Sequence, residues 1–248
     1  MNMKRTVLLI LLVLVLTAGG VFGHDMGDLM LNIDWQTGYL DSDIGIRVGG
    51  TKLGDYGLKK EPFGANIGLL GTVHYYFLDF IALNAGVGIG TDINLVTYRD
   101  SPSQFEVDFA FLNVYPVIPV GLRFSFGAFA LGGGITVNIP IFSYASLSGK
   151  EGTYVSEKQK DDGFIMNKYV SWYGEIGFDL SGIKGRTNGF GMLLRVSAPF
   201  SDKIGETANY INMGEISGRL EYNPFHYINI ALVLQFANEL GSFPISGK

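Results

Sequence analysis

The feature that most constrains this fold is a strict alternation of large apolar residues with small or polar ones, which recurs from Leu29 onward. The clearest runs are residues 81–90, 170–180 and 228–236. A period of two indicates a β-strand with two chemically different faces. Repeated strands of this kind behind an export signal are typical of a transmembrane β-barrel. We therefore predict an all-β, antiparallel barrel of eight to ten strands.

The first 23 residues have the pattern of a cleaved signal peptide. Lys4 and Arg5 precede a short apolar core at residues 7–16, and residues 21–23 resemble a cleavage site. An uncleaved anchor is the alternative, although the core is too short to span a membrane as a helix. With Lys4 and Arg5 removed, 16 basic residues face 23 acidic ones, so the mature net charge is −7. We predict a barrel over residues 24–237 and a tail over 238–248.

Composition excludes several classes of site. The chain has no cysteine, which excludes a lipid-modified cysteine, a disulfide framework and a thiolate metal site. No basic stripe indicates nucleic-acid binding. We predict no cofactor and no metal.

Ten strands are predicted from the alternation. They cover residues 28–40, 43–49, 63–77, 80–93, 105–124, 127–144, 166–181, 188–199, 210–222 and 226–237. Short turns near residues 78–79, 125–127, 183–188 and 223–225 alternate with longer polar loops, which is the usual asymmetry of outer-membrane barrels. If every short turn is periplasmic, however, both chain ends lie on the outer side. Treating residues 28–62 as one strand and a loop corrects the start but leaves nine strands.

Two further features of the strands can be read from the sequence. In the segment 105–124, Phe109 and Phe111 have one parity whereas Leu122 and Phe124 have the other, which predicts a β-bulge near residues 112–115. Aromatic residues also crowd the short turns, where they are expected to form a belt at the membrane boundary, the alternative being ordinary strand formers beside hairpins. The predicted belt consists of Tyr75, Tyr76, Phe77, Phe80, Phe124, Phe126, Phe129, Tyr222, Phe225 and Tyr227.

The polar face carries both acidic and basic residues, and every basic residue on it is an arginine. Most lysines lie instead in loops and turns. Arginine suits confined ion pairs because its planar fork binds carboxylates and is weakly hydrated. We therefore expect the polar face inside and the apolar face against lipid. In so narrow a barrel these charges should form a salt-bridged plug, although inward glycines would leave a thin passage. The predicted lumen network is Asp34, Arg47, Asp108, Arg123, Glu175, Asp179, Arg195, Glu215, Arg219 and Glu221.

The stretches 75–88 (YYFLDFIALNAGVG) and 112–124 (LNVYPVIPVGLRF), together with the signal and the size, resemble small bacterial outer-membrane β-barrel proteins of the OmpA/OmpW-like and opacity-type group. The resemblance is one of pattern over most of the mature chain. It implies outer-membrane lipid and the barrel-assembly machinery as partners. It also implies that Phe236, which closes an alternating strand, is the aromatic residue read by that machinery, although residues 237–248 follow it. Members of the group act as passive pores, structural anchors or adhesins.

No catalytic set is evident in the sequence. His74 lies on the predicted lumen face, where a structural role is favoured over that of a general base, and the glycines at 86–90 lie within a strand rather than before a helix. We predict a non-catalytic outer-membrane barrel, either a narrow porin-like protein or a structural one, with small solutes or surface ligands as candidate ligands. The alternatives are an exported soluble barrel that binds an apolar ligand, a surface adhesin acting through long loops, and a lipid-acting barrel enzyme.

Overall fold

The computed structural model describes residues 27–48, 51–52, 59–100, 105–149, 159–161, 168–182, 188–200, 211–213 and 216–242. These residues form twelve β-strands and one short 3-10 turn at residues 180–182. The strands are β1 (Asp28–Val48), β2 (Thr51–Lys52), β3 (Lys59–Leu78), β4 (Ile81–Asp100), β5 (Phe105–Phe126), β6 (Phe129–Asn138), β7 (Phe142–Gly149), β8 (Gln159–Asp161), β9 (Tyr169–Asp179), β10 (Asn188–Pro199), β11 (Ile211–Met213) and β12 (Ile216–Ser242). No helix among these residues is long and apolar enough to cross a membrane.

Eight of the described strands pair in a closed antiparallel ring. The order around the ring is β12, β10, β9, β6, β5, β4, β3 and β1, and β1 then pairs with β12. The other four strands pair with the ring or with each other. β7 pairs with β5 where β6 ends, and β8 pairs with β7. β2 pairs with β1, and β11 pairs with β12. Asp28 pairs with Ser242, and Leu29 pairs with Tyr75. The start of β1 and the end of β12 therefore lie on the side of the barrel that carries the short turns.

The ring resolves the parity problem because two of the predicted breaks between strands are absent. The predicted strands 28–40 and 43–49 form the single strand β1, and residues 223–225, predicted as a turn, lie within β12. In both strands the predicted break is a shift in the pairing register, because Asp41 pairs with Ile228 whereas Asp43 pairs with Asn223. Pairing also continues through residues 238–242, which were predicted as part of a tail.

The predicted β-bulge in β5 is wrong. The pairing of β5 with β4 keeps one register from Phe105 to Phe124, and odd-numbered residues of β5 are buried along most of its length. Phe109 and Phe111 are therefore buried on the inner face instead of facing lipid. The apolar residues change parity along this segment because Phe109 and Phe111 are apolar residues on the inner face, near the loop end of the barrel. The predicted strand 127–144 is instead divided into β6 and β7 by residues 139–141.

The wall of the barrel has two heights. Strands β6, β9 and β10 contain 10, 11 and 12 residues, which is the length that crosses a membrane when strands are tilted. Strands β1, β3, β4 and β5 contain 20 to 22 residues, so they project well beyond the shorter strands at the loop end. Several residues predicted to lie between strands, such as 59–62 and 94–100, belong to this projecting wall.

The two faces of the wall differ in polarity, as alternation predicted. Large apolar side chains are exposed on the outside, and polar side chains are buried inside. Examples of the outer set are Ile33, Trp35, Leu69, Leu83, Val87, Ile89, Leu122, Leu131, Ile135, Trp172, Ile176, Met192, Leu194, Ile230 and Leu232. Examples of the inner set are Asn32, Asp34, Gln36, Asn66, Thr72, His74, Asn84, Asp92, Asn113, Arg123, Ser125, Glu175, Asp179, Arg195, Asn229 and Gln235.

Glycines permit close approach of strands inside this small ring. A Cβ atom at Gly134 would lie 2.2 Å from the Val120 carbonyl oxygen and 2.5 Å from the Gly121 Cα atom. A Cβ atom at Gly174, on the outer face of the neighbouring strand, would have no neighbour within 4 Å. The tight curvature therefore depends on inward glycines more than on outward ones.

We expect Gly134→Val to destabilise the barrel by about 1–3 kcal/mol, because overpacking forces the β5–β6 pair apart. Gly174→Val adds the same atoms in open space on the outer face and is the matched control. The free energies of unfolding from lipid vesicles in urea measure both effects. Equal stabilities of the two variants would contradict this packing argument.

Candidate functional site: the polar lumen

The interior of the barrel is occupied by a connected network of charged and amide side chains. Its members come from β1, β3, β4, β5, β9, β10 and β12, where inward positions alternate with outward ones. The network contains two arginines, Arg123 on β5 and Arg195 on β10. Each arginine is held by carboxylates of β9.

Arg123 forms the part of the network nearer the short turns. Its side chain is fully buried, and its Nη2 atom donates to Asp179 Oδ2 at 2.6 Å. Its Nη1 atom lies 3.7 Å from Glu175 Oε1. Asp179 also accepts from the backbone N–H and the hydroxyl of Ser181 through Oδ1, which fixes the orientation of its carboxylate. A charge-assisted bond of this length between fully buried groups ties β5 to β9 across β6.

Arg195 forms the second part of the network. Its Nη2 and Nε atoms donate to Glu175 Oε2 at 2.7 and 3.0 Å, and its Nη1 atom donates to Gln36 Oε1 at 3.1 Å. Its Nη2 atom also lies 3.8 Å from Asp34 Oδ2, while Asp34 Oδ1 accepts from Gln235 Nε2 at 2.9 Å. Glu175 is therefore shared by both arginines, and the network continues from β10 to β1 and β12.

A tyrosine crosses the lumen beneath the second arginine. The guanidinium carbon of Arg195 lies 5.0 Å from the centre of the Tyr173 ring, within cation–π range. The Tyr173 hydroxyl donates to Asn84 Oδ1 on β4 at 3.2 Å. Because β6 and β5 lie between β9 and β4 in the ring, this contact spans part of the lumen transversely.

A neutral-donor cluster continues the network toward the loop end. Gln36 Nε2 donates to Asn66 Oδ1 at 3.0 Å, and Asn66 Nδ2 donates to Asp92 Oδ1 at 2.7 Å. The Tyr115 hydroxyl also donates to Asp92 Oδ1, at 2.8 Å. Buried polar groups in such chains rigidify the interior when they are satisfied. The hydrogen bonds thus run from β10 through β1, β3 and β4 to β5.

The lumen is narrow on both sides of the ion pairs. On the side of the short turns, Met30, Tyr76, Ala82 and Ala237 form a buried apolar cluster. On the loop side lies a cavity of about 30 Å³, which has room for only one or two water molecules. Its lining consists of Gln36, Leu70, Tyr115, Val117, Thr136, Asn138, Tyr169, Ser171, Tyr173, Arg195, Ser197 and Asn229.

The structure brings together five of the ten residues predicted for the lumen network. Asp34, Arg123, Glu175, Asp179 and Arg195 are buried and connected, as described above. The prediction for Asp108 is wrong, because even-numbered residues of β5 face outward; its carboxylate accepts from Thr97 Oγ1 at 2.7 Å on the exposed side of the projecting wall. The side chains of Arg47, Glu215, Arg219 and Glu221 lie outside the described residues.

The sequence prediction missed Asp92 and the neutral members of the network. Gln36, Asn66, Tyr115, Tyr173 and Gln235 all occupy inward positions on alternating strands. Parity placed all of these except Tyr115, which lies in the predicted bulge, but uncharged side chains carry no ion-pair signal in the sequence. His74 is buried with its Nε2 atom 3.4 Å from Thr72 Oγ1.

The predicted aromatic belt is partly outward-facing. Phe77 and Phe129 are exposed, and Tyr75, Phe80, Phe124 and Phe126 are half-buried, with the Phe80 and Phe126 rings 5.8 Å apart. Tyr76 is wrongly placed in the prediction, because its even position in β3 points it into the barrel, where its hydroxyl lies 3.2 Å from Ser125 Oγ. The side chains of Tyr222, Phe225 and Tyr227 lie outside the described residues.

Two aromatic groups instead mark the edges of the outer apolar band. Near the short turns, Phe178, Phe190 and Phe236 are exposed, and the rings of Phe190 and Phe236 are 5.5 Å apart. Toward the loops, Phe63 and Phe200 are exposed. Phe190 and Phe200 are ten residues apart in sequence. This separation corresponds to roughly 25 Å along the barrel axis for tilted strands, which is the height of a lipid-facing band.

Comparisons with known proteins give fold neighbours only. No protein-family model matches the chain, and no curated protein matches its sequence. Among solved structures, the outer membrane protein OprG from Pseudomonas aeruginosa is 14% identical with a TM-score of 0.42, covering 88% of this chain and 98% of that one. The outer membrane protease OmpT from Escherichia coli is 10% identical with a TM-score of 0.45, covering 85% and 97%. The attachment invasion locus protein Ail of Yersinia pestis is 13% identical with a TM-score of 0.30, covering 86% and 98%.

The geometry of the chain itself defines its class. The ring closes without a free edge, so every strand of the ring has partners on both sides, as a hydrocarbon environment requires. Its outside is apolar between two aromatic groups, and its inside is charged. A soluble barrel that binds an apolar ligand would need the opposite polarity. The chain has the fold of an outer-membrane β-barrel.

A charge in the middle of the outer band tests this orientation. Leu194 lies on the outer face between Phe190 and Phe200, so we expect Leu194→Arg to cost about 2–4 kcal/mol of folding free energy in lipid vesicles. Phe200→Arg, at the edge of the band, should cost only about 0–1 kcal/mol. A small effect at Leu194 would show that this face does not contact lipid.

Proposed function

We propose that the protein is an integral outer-membrane barrel of a diderm bacterium with a narrow, porin-like lumen that its ion-pair network holds closed. The observation that carries this proposal is the shared carboxylate of Glu175, which contacts both buried arginines. Through it, one continuous set of polar contacts joins β5, β9, β10 and β1 inside the ring.

The size of the ring supports a closed resting state. Barrels of eight strands have interiors just wide enough for side chains to fill, whereas clear aqueous channels occur in larger rings. Here Arg123, Tyr173 and Arg195 occupy the middle of the lumen, and the cavity that the described residues leave beside Arg195 has a volume of about 30 Å³. Solutes therefore need at least one of these side chains to move.

The lining supports passage of small polar solutes rather than apolar ones. Inward positions around the cavity and Tyr173 carry amides and hydroxyls, such as Asn138, Ser171, Asn229 and Asn84. Such groups replace part of the hydration shell of a polar solute as it passes. The outer lipid and the barrel-assembly machinery are the proposed partners of the outer face and of the closing strand.

Removal of either arginine should open the lumen. Arg123→Ala removes the counter-charge of Asp179, and Arg195→Ala leaves Glu175 with only the more distant Arg123, so we expect higher ion conductance and about 3–5 kcal/mol lower stability in each case. Planar-bilayer recordings of refolded protein measure the conductance, and heat-dependent gel mobility verifies folding. Arg99→Ala, which removes an exposed arginine from the projecting wall, is the matched control. Folded variants that conduct no better than the unmodified protein would refute the plug.

The proposed role of Phe236 in assembly can be separated from its packing. The rings of Phe236 and Phe190 contact each other, so replacing either residue by alanine removes the same contact. Both variants should therefore lose a similar amount of folding free energy. If Phe236 is the residue read by the assembly machinery, Phe236→Ala should also slow machinery-catalysed insertion several-fold, whereas Phe190→Ala should not. Insertion rates into vesicles with and without the reconstituted machinery distinguish the two. Equal slowing of both variants would reduce Phe236 to a packing residue.

A further inference from the structure

We propose that the cavity beside Arg195 is a binding site for the hydroxyl groups of small uncharged solutes, such as short polyols. This inference rests on the proposed function, since it names the class of solute that uses the same passage. It follows from a buried acceptor in the lining that has no donor, from the cancelled charge of Arg195, and from the apolar part of the lining.

One residue of the lining has an unsatisfied acceptor. Asn229 is 5% exposed and contacts the cavity, and its Oδ1 atom has no hydrogen-bond donor among the described residues. Because a buried acceptor without a donor is unfavourable, the site favours a ligand group that donates a hydrogen bond. Ser171 Oγ, also in the lining, accepts from Asn138 Nδ2 at 3.3 Å and can donate its own proton. The lining thus offers both an acceptor and a donor, which are the two partners that a hydroxyl group needs.

The charge of Arg195 is cancelled within the network. Arg195 is the one charged residue that the described part of the chain contributes to the lining. It donates two hydrogen bonds to Glu175 Oε2, at 2.7 and 3.0 Å, and its Nη2 atom lies 3.8 Å from Asp34 Oδ2. An ion that enters so narrow a space loses its hydration without gaining an unpaired counter-charge, which is costly. An uncharged polar group loses less, because hydroxyls and amides of the lining replace its hydration shell.

Part of the lining is apolar. Leu70, Tyr115 and Val117 form a buried cluster that contacts the cavity. The Tyr115 hydroxyl donates to Asp92, so the ring of Tyr115 remains as apolar surface. A polyol carries C–H groups beside its hydroxyls, and a lining of apolar surface with a few placed polar groups matches both. Because the cavity volume of about 30 Å³ suits a group the size of a water molecule, a polyol places one hydroxyl there at a time.

Direct binding tests the site without requiring passage. The mature chain, refolded in detergent micelles with isotopically labelled asparagine, is titrated with erythritol while its side-chain amides are followed by NMR. The resonances of Asn229 and Asn138, which line the cavity, should shift and saturate, whereas that of Asn238, exposed on the outer face, should not. Threonine has as many non-hydrogen atoms as erythritol but is zwitterionic. We expect it to produce several-fold smaller shifts at the same concentration, because its charges find no unpaired partner in the lining.

Replacement of Asn229 then tests its acceptor. Asn229→Leu has a similar volume but no acceptor, so the saturable shift of Asn138 with erythritol should be lost. Asn229→Ser keeps an oxygen acceptor and should retain part of the response. Asn238→Leu makes the same replacement on the outer face of the same strand and is the matched control, with the response unchanged. Heat-dependent gel mobility verifies folding, and Asn229→Ala removes the same acceptor if Asn229→Leu does not fold.

The outcomes separate the inference from the proposed function. The inference is overturned, and the proposed passage left intact, if erythritol gives no saturable shift, if threonine gives an equal one, or if the shift persists in Asn229→Leu. The proposed passage fails on a different result, namely a folded Arg123→Ala barrel that admits neither solute when vesicle swelling is measured. A saturable shift with erythritol in the same preparation would then still support the binding site.

Discussion

The pairing of β1 with β12 is the constraint on which the rest of this structure depends. It removes the last free strand edges from the ring, and a barrel wall in hydrocarbon tolerates no unpaired backbone groups. Once the ring is closed, every strand of it must alternate in the same sense, with apolar side chains outside and polar ones inside. The small circumference then brings inward side chains of distant strands, such as Tyr173 and Asn84, into direct contact. The lumen network is thus a consequence of ring closure.

The network lowers the free-energy cost of burying charged side chains inside the barrel. Buried charges are expensive unless each is paired and hydrogen-bonded. The chain meets part of this requirement with few arginines, because one guanidinium group contacts two or three acceptors at once, as Arg195 does with Glu175, Gln36 and Asp34. Lysine has no planar fork and matches this geometry less well. Outside the membrane the same strands carry ordinary exposed pairs, such as Lys59 with Glu61, which are worth little individually.

Much of the fold could be predicted from the sequence, because the period of two is a local property. Alternation gave the fold class, the polarity of the faces and the position of β10 at 188–199. It failed at Asp41–Asp43 and at Asn223–Pro224, where turn-forming residues lie at an irregularity in the pairing of β1 with β12, and the two strands pair on both sides of it. It failed again at Asp108, because aromatic residues inside the loop end of β5 imitate the outward face. Five of the lumen charges followed from parity, whereas Asp92 was missed. The partners of the predicted charges did not follow, since whether Arg123 binds Asp179 or Glu175 depends on strand stagger.

The same closing pair also sets the order in which the chain can fold. Asp28 and Ser242 lie at opposite ends of the described sequence, whereas β3, β4 and β5 are joined in sequence as hairpins. Loop-closure entropy makes contacts between distant residues late and slow, and contacts within hairpins early. Until β1 meets β12, the chain is an open sheet with two unpaired edges, which is a hazard for aggregation. The residues that seal the barrel are therefore the ones whose pairing must be protected longest during biogenesis.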